Sequence, residues 1–193
     1  MKTNRWIYAI LMIASLSWVA CDDDDDNPLD EPNLNETDET FVEVAARSNM
    51  AEIEFGELAT TKGTDSLVRA YAQHMIDEHN AAQEELEDLA DDYQGIEWPN
   101  DLDEGHDEIM EQLQNAEGYS FDTLYIRTQV RMHEAAISQF QNATTSVTDM
   151  RVKAYANKYL PTLEDHLQMA DSVETVVVAG DTTTTDNTDE TTD

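Results

Sequence analysis

Cations, cysteine, glycine and proline are all scarce in this chain. Its 193 residues hold 10 Lys and Arg against 43 Asp and Glu, for a formal net charge of −33. A nucleic-acid binder needs clustered cations to neutralise phosphates, so that class is excluded. Docking on anionic lipid through a basic patch is excluded for the same reason. The single cysteine, Cys21, cannot close an internal disulfide. With 6 glycines, none in a phosphate-cradling array, a nucleotide loop is absent as well. What remains is an apolar share of 40%, too high for a wholly disordered chain, and a length that suits one domain plus tails.

The N-terminal segment reads as an address. Lys2 and Arg5 precede an apolar stretch from Trp6 to Leu16, and small residues lead to Cys21. The stretch Leu16-Ser17-Trp18-Val19-Ala20-Cys21 resembles a bacterial lipobox, with Trp18 a departure from the usual aliphatic residue. Residues 1–20 are therefore expected to be a lipoprotein signal peptide and Cys21 the lipidated residue of the mature chain; the plainer alternative is an ordinary leader with an incidental cysteine. Asp22 to Asp26 form an unbroken acidic run, which reads as a solvated spacer and resembles a surface-export tag. Residues 21–39 are expected to be an acidic disordered tether, and residues 179–193 a disordered Thr/Asp tail. The anchor would place the protein on the outer membrane, facing outward or, alternatively, the periplasm.

Residues 40–178 carry almost no strand pattern. Apolar positions recur at threes and fours, which predicts helices over 40–62, 64–93, 120–147 and 148–176, with a short one over 103–116 between the second and third long ones. Thr64 or Asp65 should cap the second, Gly118 should end the short one, and Pro161 should bend the last. No internal repeat stands out. Short joins argue for an all-α, antiparallel four-helix bundle, simplest as up-down-up-down.

On a wheel of about 100° per residue, each long helix turns one metal-competent polar side chain toward its apolar face. These are Glu52, His79, His133 and His166, and their depths along the helices agree roughly. His74 and Asp77 point away. Three imidazoles and a carboxylate in a bundle core would suit one ion of zinc, iron or copper. Asp122 also faces inward, but its place at a helix start favours capping over ligation. The competing reading is a metal-free polar network tied to Tyr125, Tyr155 and Tyr159. A carboxylate-bridged di-iron centre needs Glu three residues before its histidines; Ile76, Val130 and Leu163 stand there, so that centre is excluded. No nucleophile arrangement is present, since Cys21 is committed to the anchor, and a non-enzymatic role is expected.

These segments, in this order, resemble a ferritin-like family of bacterial envelope proteins, catalogued as domain of unknown function 4142. The resemblance rests on Met50-Ala51-Glu52-Ile53-Glu54-Phe55-Gly56-Glu57-Leu58-Ala59 and on Ala70-Tyr71-Ala72-Gln73-His74-Met75-Ile76-Asp77-Glu78-His79 with Glu85-Leu86. Phe121-Asp122, Tyr125, His133, Leu160-Pro161 and His166-Leu167 complete it. The family's usual Asp-His is Glu78-His79 here. The resemblance implies a ferritin-like bundle in the cell envelope with Glu52, His79, Asp122, His133 and His166 at its typical polar positions, and no established activity. Two functions are expected from different classes. One is a lipid-anchored envelope or stress-related protein acting through an envelope protein partner. The other is a mononuclear metal-binding or redox bundle.

Overall fold

A computed structural model describes residues 33–184. The leader, Cys21, the acidic run and residues 185–193 lie outside the described residues. The described residues form a helical bundle, with α1 at Glu36–Lys62, α2 at Ser66–Ala90, α3 at Glu104–Asn115, α4 at Gly118–Ser146 and α5 at Met150–Thr184. No strand occurs among them; one isolated bridge joins Asn33 to Gln94. No described helix is long and apolar enough to cross a membrane.

Each helix start has a local cause. Asn35 Oδ1 accepts from the Thr37 and Asp38 amides at 2.9 and 3.1 Å, so α1 begins inside the expected tether. Glu36, Asp38 and Glu39 in its first turn face the positive end of the helix dipole. Asp65 caps α2 through the Leu67 amide, Asp103 caps α3 through His106, and Asp149 caps α5 through Arg151 and Val152. The short helix already ends at Asn115, with Ala116 extended as its cap, so Gly118 does not end it but stands at the start of α4, at φ 57°, a left-handed backbone that other residues avoid. α5 stays helical on both sides of Pro161 and runs past the expected end to Thr184. With Val177 buried in the core, the helix is already anchored there, and extending it adds one bond per residue fixed.

α1 packs mainly on α2 and α4 mainly on α5, while α2 meets α5 and α1 meets α4. Gly56 makes the first pairing close: a Cβ there would sit 2.8 Å from Ile76 Cγ1 and 3.1 Å from the Ala72 carbonyl. Tyr93, just past α2, donates to Asp149 at the start of α5. Lys62, at the end of α1, donates to the carbonyls of Leu113 and Gln114 at the end of α3. Thr64 and Asp65, just before α2, meet Asp122 at the start of α4. The segment from Tyr93 to Leu113 therefore returns along the bundle, and α2 and α4 begin at the same end. This corrects the simple up-down-up-down order.

The core has two apolar halves. Phe41, Val42, Leu86, Phe140 and Tyr155 centre one, and Phe55, Met75, Phe121, Tyr125 and Ile126 the other. Every long helix places a buried polar residue between them: Asn49 and Glu52, His79, Gln129 and His133, His166, while buried Asp38 and Asp122 lie at the bundle ends. In the first turn of α2, Val68 is buried in the core while Leu67 is 43% exposed.

The bundle also shows a repeat that the pattern of helices conceals. Ala59-Thr60-Thr61-Lys62-Gly63-Thr64-Asp65 precedes α2, and Ala143-Thr144-Thr145-Ser146-Val147-Thr148-Asp149 precedes α5. At the same spacing Val68, Ala70, Tyr71 and Ala72 match Val152, Ala154, Tyr155 and Ala156, and Asp38 matches Asp122. The contacts repeat too. Asp122 accepts from the amides of Thr64 and Asp65, both at 2.9 Å, and from the Thr64 hydroxyl. Asp38 accepts from the amides of Thr148 and Asp149 at 3.0 and 2.7 Å and from the Thr148 hydroxyl at 3.1 Å. Each hairpin's first helix thus ties down the turn of the other hairpin.

Candidate metal centre

His79, His133 and His166 come together in the polar layer. All three are buried, and one donor nitrogen from each lies within 4.8 Å of the others. Their ring centroids are 5.3 to 5.8 Å apart. His133 Nε2 stands 3.3 Å from His166 Nδ1. Two nitrogens on a tetrahedral zinc, each about 2.0–2.1 Å from it, are separated by about 3.3 Å. One edge of such a site is therefore already at its length, while the third donor stands further out.

Neighbouring groups decide where the ring protons sit. His133 Nδ1 lies 2.9 Å from the Gln129 carbonyl, which only accepts, so the proton is on Nδ1 and Nε2 keeps its lone pair. His79 Nδ1 lies 2.9 Å from Asn49 Oδ1. The Asn49 amide is turned that way because its Nδ2 donates to the Tyr155 hydroxyl, which itself donates to the Ala82 carbonyl. His79 therefore also carries its proton on Nδ1 and holds Nε2 as a lone pair. His79 Nε2 and His166 Nε2 have no hydrogen-bond partner. Burial pushes His79 well below the ordinary imidazole range, and the neighbouring rings of His133, His166 and His74 add to it. Burial, with His133 and His74 beside it, lowers His166 to about 3. Both rings are neutral at neutral pH and available as ligands.

Glu52 stands behind this cluster. Its Oε1 is 3.8 Å from His133 Nδ1, on the opposite edge of the ring from the nitrogen that meets His166. Burial raises its pKa, and the neighbouring His133 only partly pulls it back. Its Oε2 has no hydrogen-bond partner, nor do the buried Tyr125 hydroxyl and Gln129 Nε2 close by in the layer. A cavity of about 30 Å³ is lined by Asn49, Glu52, His79, Met132 and His133 among others.

Of the four residues expected to converge, three bring donor nitrogens together, while Glu52 Oε1 stays 3.8 Å from His133 Nδ1, whose proton goes to the Gln129 carbonyl. Asp122 lies at the bundle end, where its oxygens accept from the Thr64 and Asp65 amides and the Thr64 hydroxyl; it ties down the turn before α2 and does not cap its own helix, whose N-cap is Glu117. Tyr155 joins the network through Asn49, whereas Tyr159 donates to Glu85 outside the layer. Sequence reasoning missed Asn49 and Gln129, which share the faces of Glu52 and His133 but are neither histidine nor carboxylate. It also missed Asp38, which the Thr-Asp repeat would have paired with Asp122. His74, expected to point away, is half-buried with its ring edge-on to His166 at 5.5 Å.

Solved structures share this fold. A DUF305 fragment from Deinococcus radiodurans superposes with a TM-score of 0.64 at 13% identity, covering 74% of this chain and 98% of the fragment. A DUF305 protein from Streptomyces coelicolor gives 0.62 at 12% identity, covering 73% and 93%. CopM in the Cu(I)-bound form gives 0.60 at 15% identity, covering 72% and 95%. No curated protein matches the chain. The domain of unknown function DUF4142 matches residues 25–173, and the chain belongs to that family.

Proposed function

We propose that this protein is a mononuclear metal-binding bundle in which His79, His133 and His166 hold one divalent transition ion. The observation that carries the reading is the convergence of three buried imidazoles whose donor nitrogens lie within 4.8 Å of one another, with His79 Nε2 left without a hydrogen-bond partner. A buried polar atom without a partner costs about 1–3 kcal/mol, and a cation would take up that lone pair together with those of His133 Nε2 and His166 Nδ1. Asn49 and the Gln129 carbonyl supply the hydrogen bonds to the far ring nitrogens that commonly fix a ligating histidine. Glu52, a buried carboxyl 3.8 Å from His133 Nδ1, would supply a countercharge to the ion on giving up its proton. An all-imidazole donor set suits zinc, copper or iron rather than a thiolate-seeking ion. CopM, a protein of similar fold, is described in a Cu(I)-bound form. Three ligands leave a position open for a water or a small exogenous ligand.

The test is metal analysis of untagged protein together with titration of the metal-free protein by Zn²⁺, Cu²⁺ and Co²⁺. One ion per chain is expected, with affinity reduced at least about a hundredfold in His133→Ala, the loss of one ligand being worth more than the 10–100-fold of an orienting group. Binding far below one ion per chain for all three metals would overturn the reading.

A second reading is favoured by the 3.3 Å approach of His133 and His166, which as a hydrogen bond would make the layer a metal-free polar network. In that case the protein is an envelope or stress-related component without a metal. On either reading we infer that Cys21 carries a lipid anchoring the chain to the outer membrane, where it meets an envelope protein partner. Cys21→Ser should abolish lipid labelling; continued labelling would refute the anchor. We also assign the bundle to the antiparallel four-helix, ferritin-like class with one long crossover. That assignment is supported by the shared ends of α2 and α4 and by the α3 segment that travels back along the bundle.

A further inference from the structure

The trio itself is closed to solvent: His79, His133 and His166 are 5%, 1% and 2% exposed. Two small voids touch it. One, of about 10 Å³, lies beside His79, His166, Tyr155 and Tyr159, and the other is the cavity of about 30 Å³ beside Glu52. Such volumes hold one or two waters, too little for a hydrated divalent ion. On the remaining side an open groove of about 480 Å³ runs between α2 and α5, lined by Leu67, Tyr71, His74, Met169, Ser172 and Val173 among others. His74 lies in its wall and is only half-buried, with its ring 5.5 Å from that of His166. One imidazole therefore faces the groove and touches a member of the buried cluster.

We propose that His74 is the port through which the ion passes between solvent and the buried histidines. Ions reach the centre along the α2–α5 groove. His74 exchanges a nitrogen lone pair for one water of the hydrated ion, and His166 then displaces a second water. His74 leaves as His79 and His133 close around the ion. No electron changes hands, and the displaced waters return to the groove. A dehydrated ion is thus never without a nitrogen ligand on its way inward, which is what a flexible, solvent-facing imidazole can supply and an apolar wall cannot. In this role His74 governs rate and not affinity.

The proposal rests on the metal reading above, and the experiment separates the two. Stopped-flow mixing of folded, metal-free, full-length protein with Co²⁺ alone follows association through the cobalt absorption bands; release is followed with a chelator. His74→Phe keeps the ring packing and removes the nitrogens. Ser172→Trp narrows the groove without altering a histidine, and it carries the test if His74→Phe folds poorly. Both variants should slow association and dissociation together by at least about tenfold, leaving Kd within about threefold of the parent, as expected when only a barrier changes. Unchanged rates would overturn the port. Weakened affinity with unchanged association would make His74 a fourth ligand and overturn it as well. If the parent protein binds neither Co²⁺ nor Zn²⁺, the metal reading fails and the port falls with it. Tight binding by the parent with unaltered variant kinetics refutes the port alone.

Discussion

The bundle buries carboxylates in two settings, and they are treated in opposite ways. At its ends, Asp38 and Asp122 are 1% and 2% exposed, and both are surrounded by donors: two backbone amides and a threonine hydroxyl each, with Asn35 Nδ2 added at Asp38. In the middle, Glu52 is as deeply buried, yet one oxygen has no partner and the other faces a histidine 3.8 Å away. A charge removed from water is tolerated where fixed donors replace the solvent and penalised where they do not. The ends thus hold the hairpins in register. The middle keeps unfilled lone pairs, and unfilled lone pairs are what an arriving cation can use.

The sharpest way to break that contrast is to truncate the end carboxylates. Asp38→Ala and Asp122→Ala each strand two buried amides and a hydroxyl, and each should lower stability by about 3 kcal/mol in urea unfolding. The two losses should add, because the residues share no partner. A loss below about 1 kcal/mol at either end would mean that the saturated cluster is incidental to the fold.

Acid should act on the middle instead. His79 and His166 have folded pKa values below the unfolded value of 6.5. The unfolded chain therefore takes up protons first as pH falls. Their contribution is intact above pH 6.5 and is lost below it, by about 1.4 kcal/mol per pH unit for each ring. Glu52 is shifted the other way, so its contribution is full below 4.5 and declines above it. Falling from pH 6.5 to 4.5 thus combines two losses with one opposing gain, for a net destabilisation in metal-free protein. The double variant His79→Gln/His166→Gln should flatten or reverse this slope. An unchanged slope in the variant would remove the buried rings as its cause.

How much of this was legible beforehand follows from the same contrast. Apolar spacing and capping residues placed the helices, because a helix writes its buried face into the sequence at a fixed period. The histidines were legible too, since an ionisable residue on an apolar stripe is conspicuous. Glu52 was found, but its side of His133 was not: the wheel gives a direction and says nothing about which ring nitrogen it meets. Asn49 and Gln129 were passed over because an uncharged amide on a stripe carries no such signal, although Asn49 fixes the tautomer of His79. The order of the helices escaped because it depends on a connection crossing the bundle, and loop residues carry no record of the distance they span. The Thr-Asp turns were in plain view, yet they became a repeat only once Asp38 and Asp122 were seen to bind them alike.

Replacing Glu52 by glutamine tests the middle more gently. Glu52→Gln removes a poorly solvated carboxyl while keeping its shape, so stability at neutral pH should stay level or rise by about 1 kcal/mol. Metal affinity should fall about tenfold, the scale expected for a supporting group beside the ligands. A fall beyond about a thousandfold would make Glu52 a direct ligand, and the division between donor cluster and supporting carboxylate would have to be redrawn.

The smallest effect belongs to the threonines of the two turns. Thr64→Val and Thr148→Val each delete a hydroxyl donor but leave both backbone amides on the carboxylate, so each should cost about 1 kcal/mol. Thr148→Val should be slightly the larger, because that hydroxyl also accepts from Asn35 Nδ2 at 2.7 Å, whereas Thr64 has no counterpart to Asn35 among its contacts. Near-equal losses would mean that the two turns are equivalent in energy as well as in sequence. If one variant lost more than about 2 kcal/mol and the other almost nothing, the repeat would describe ancestry alone. One end would then hold the bundle together while the other merely resembled it.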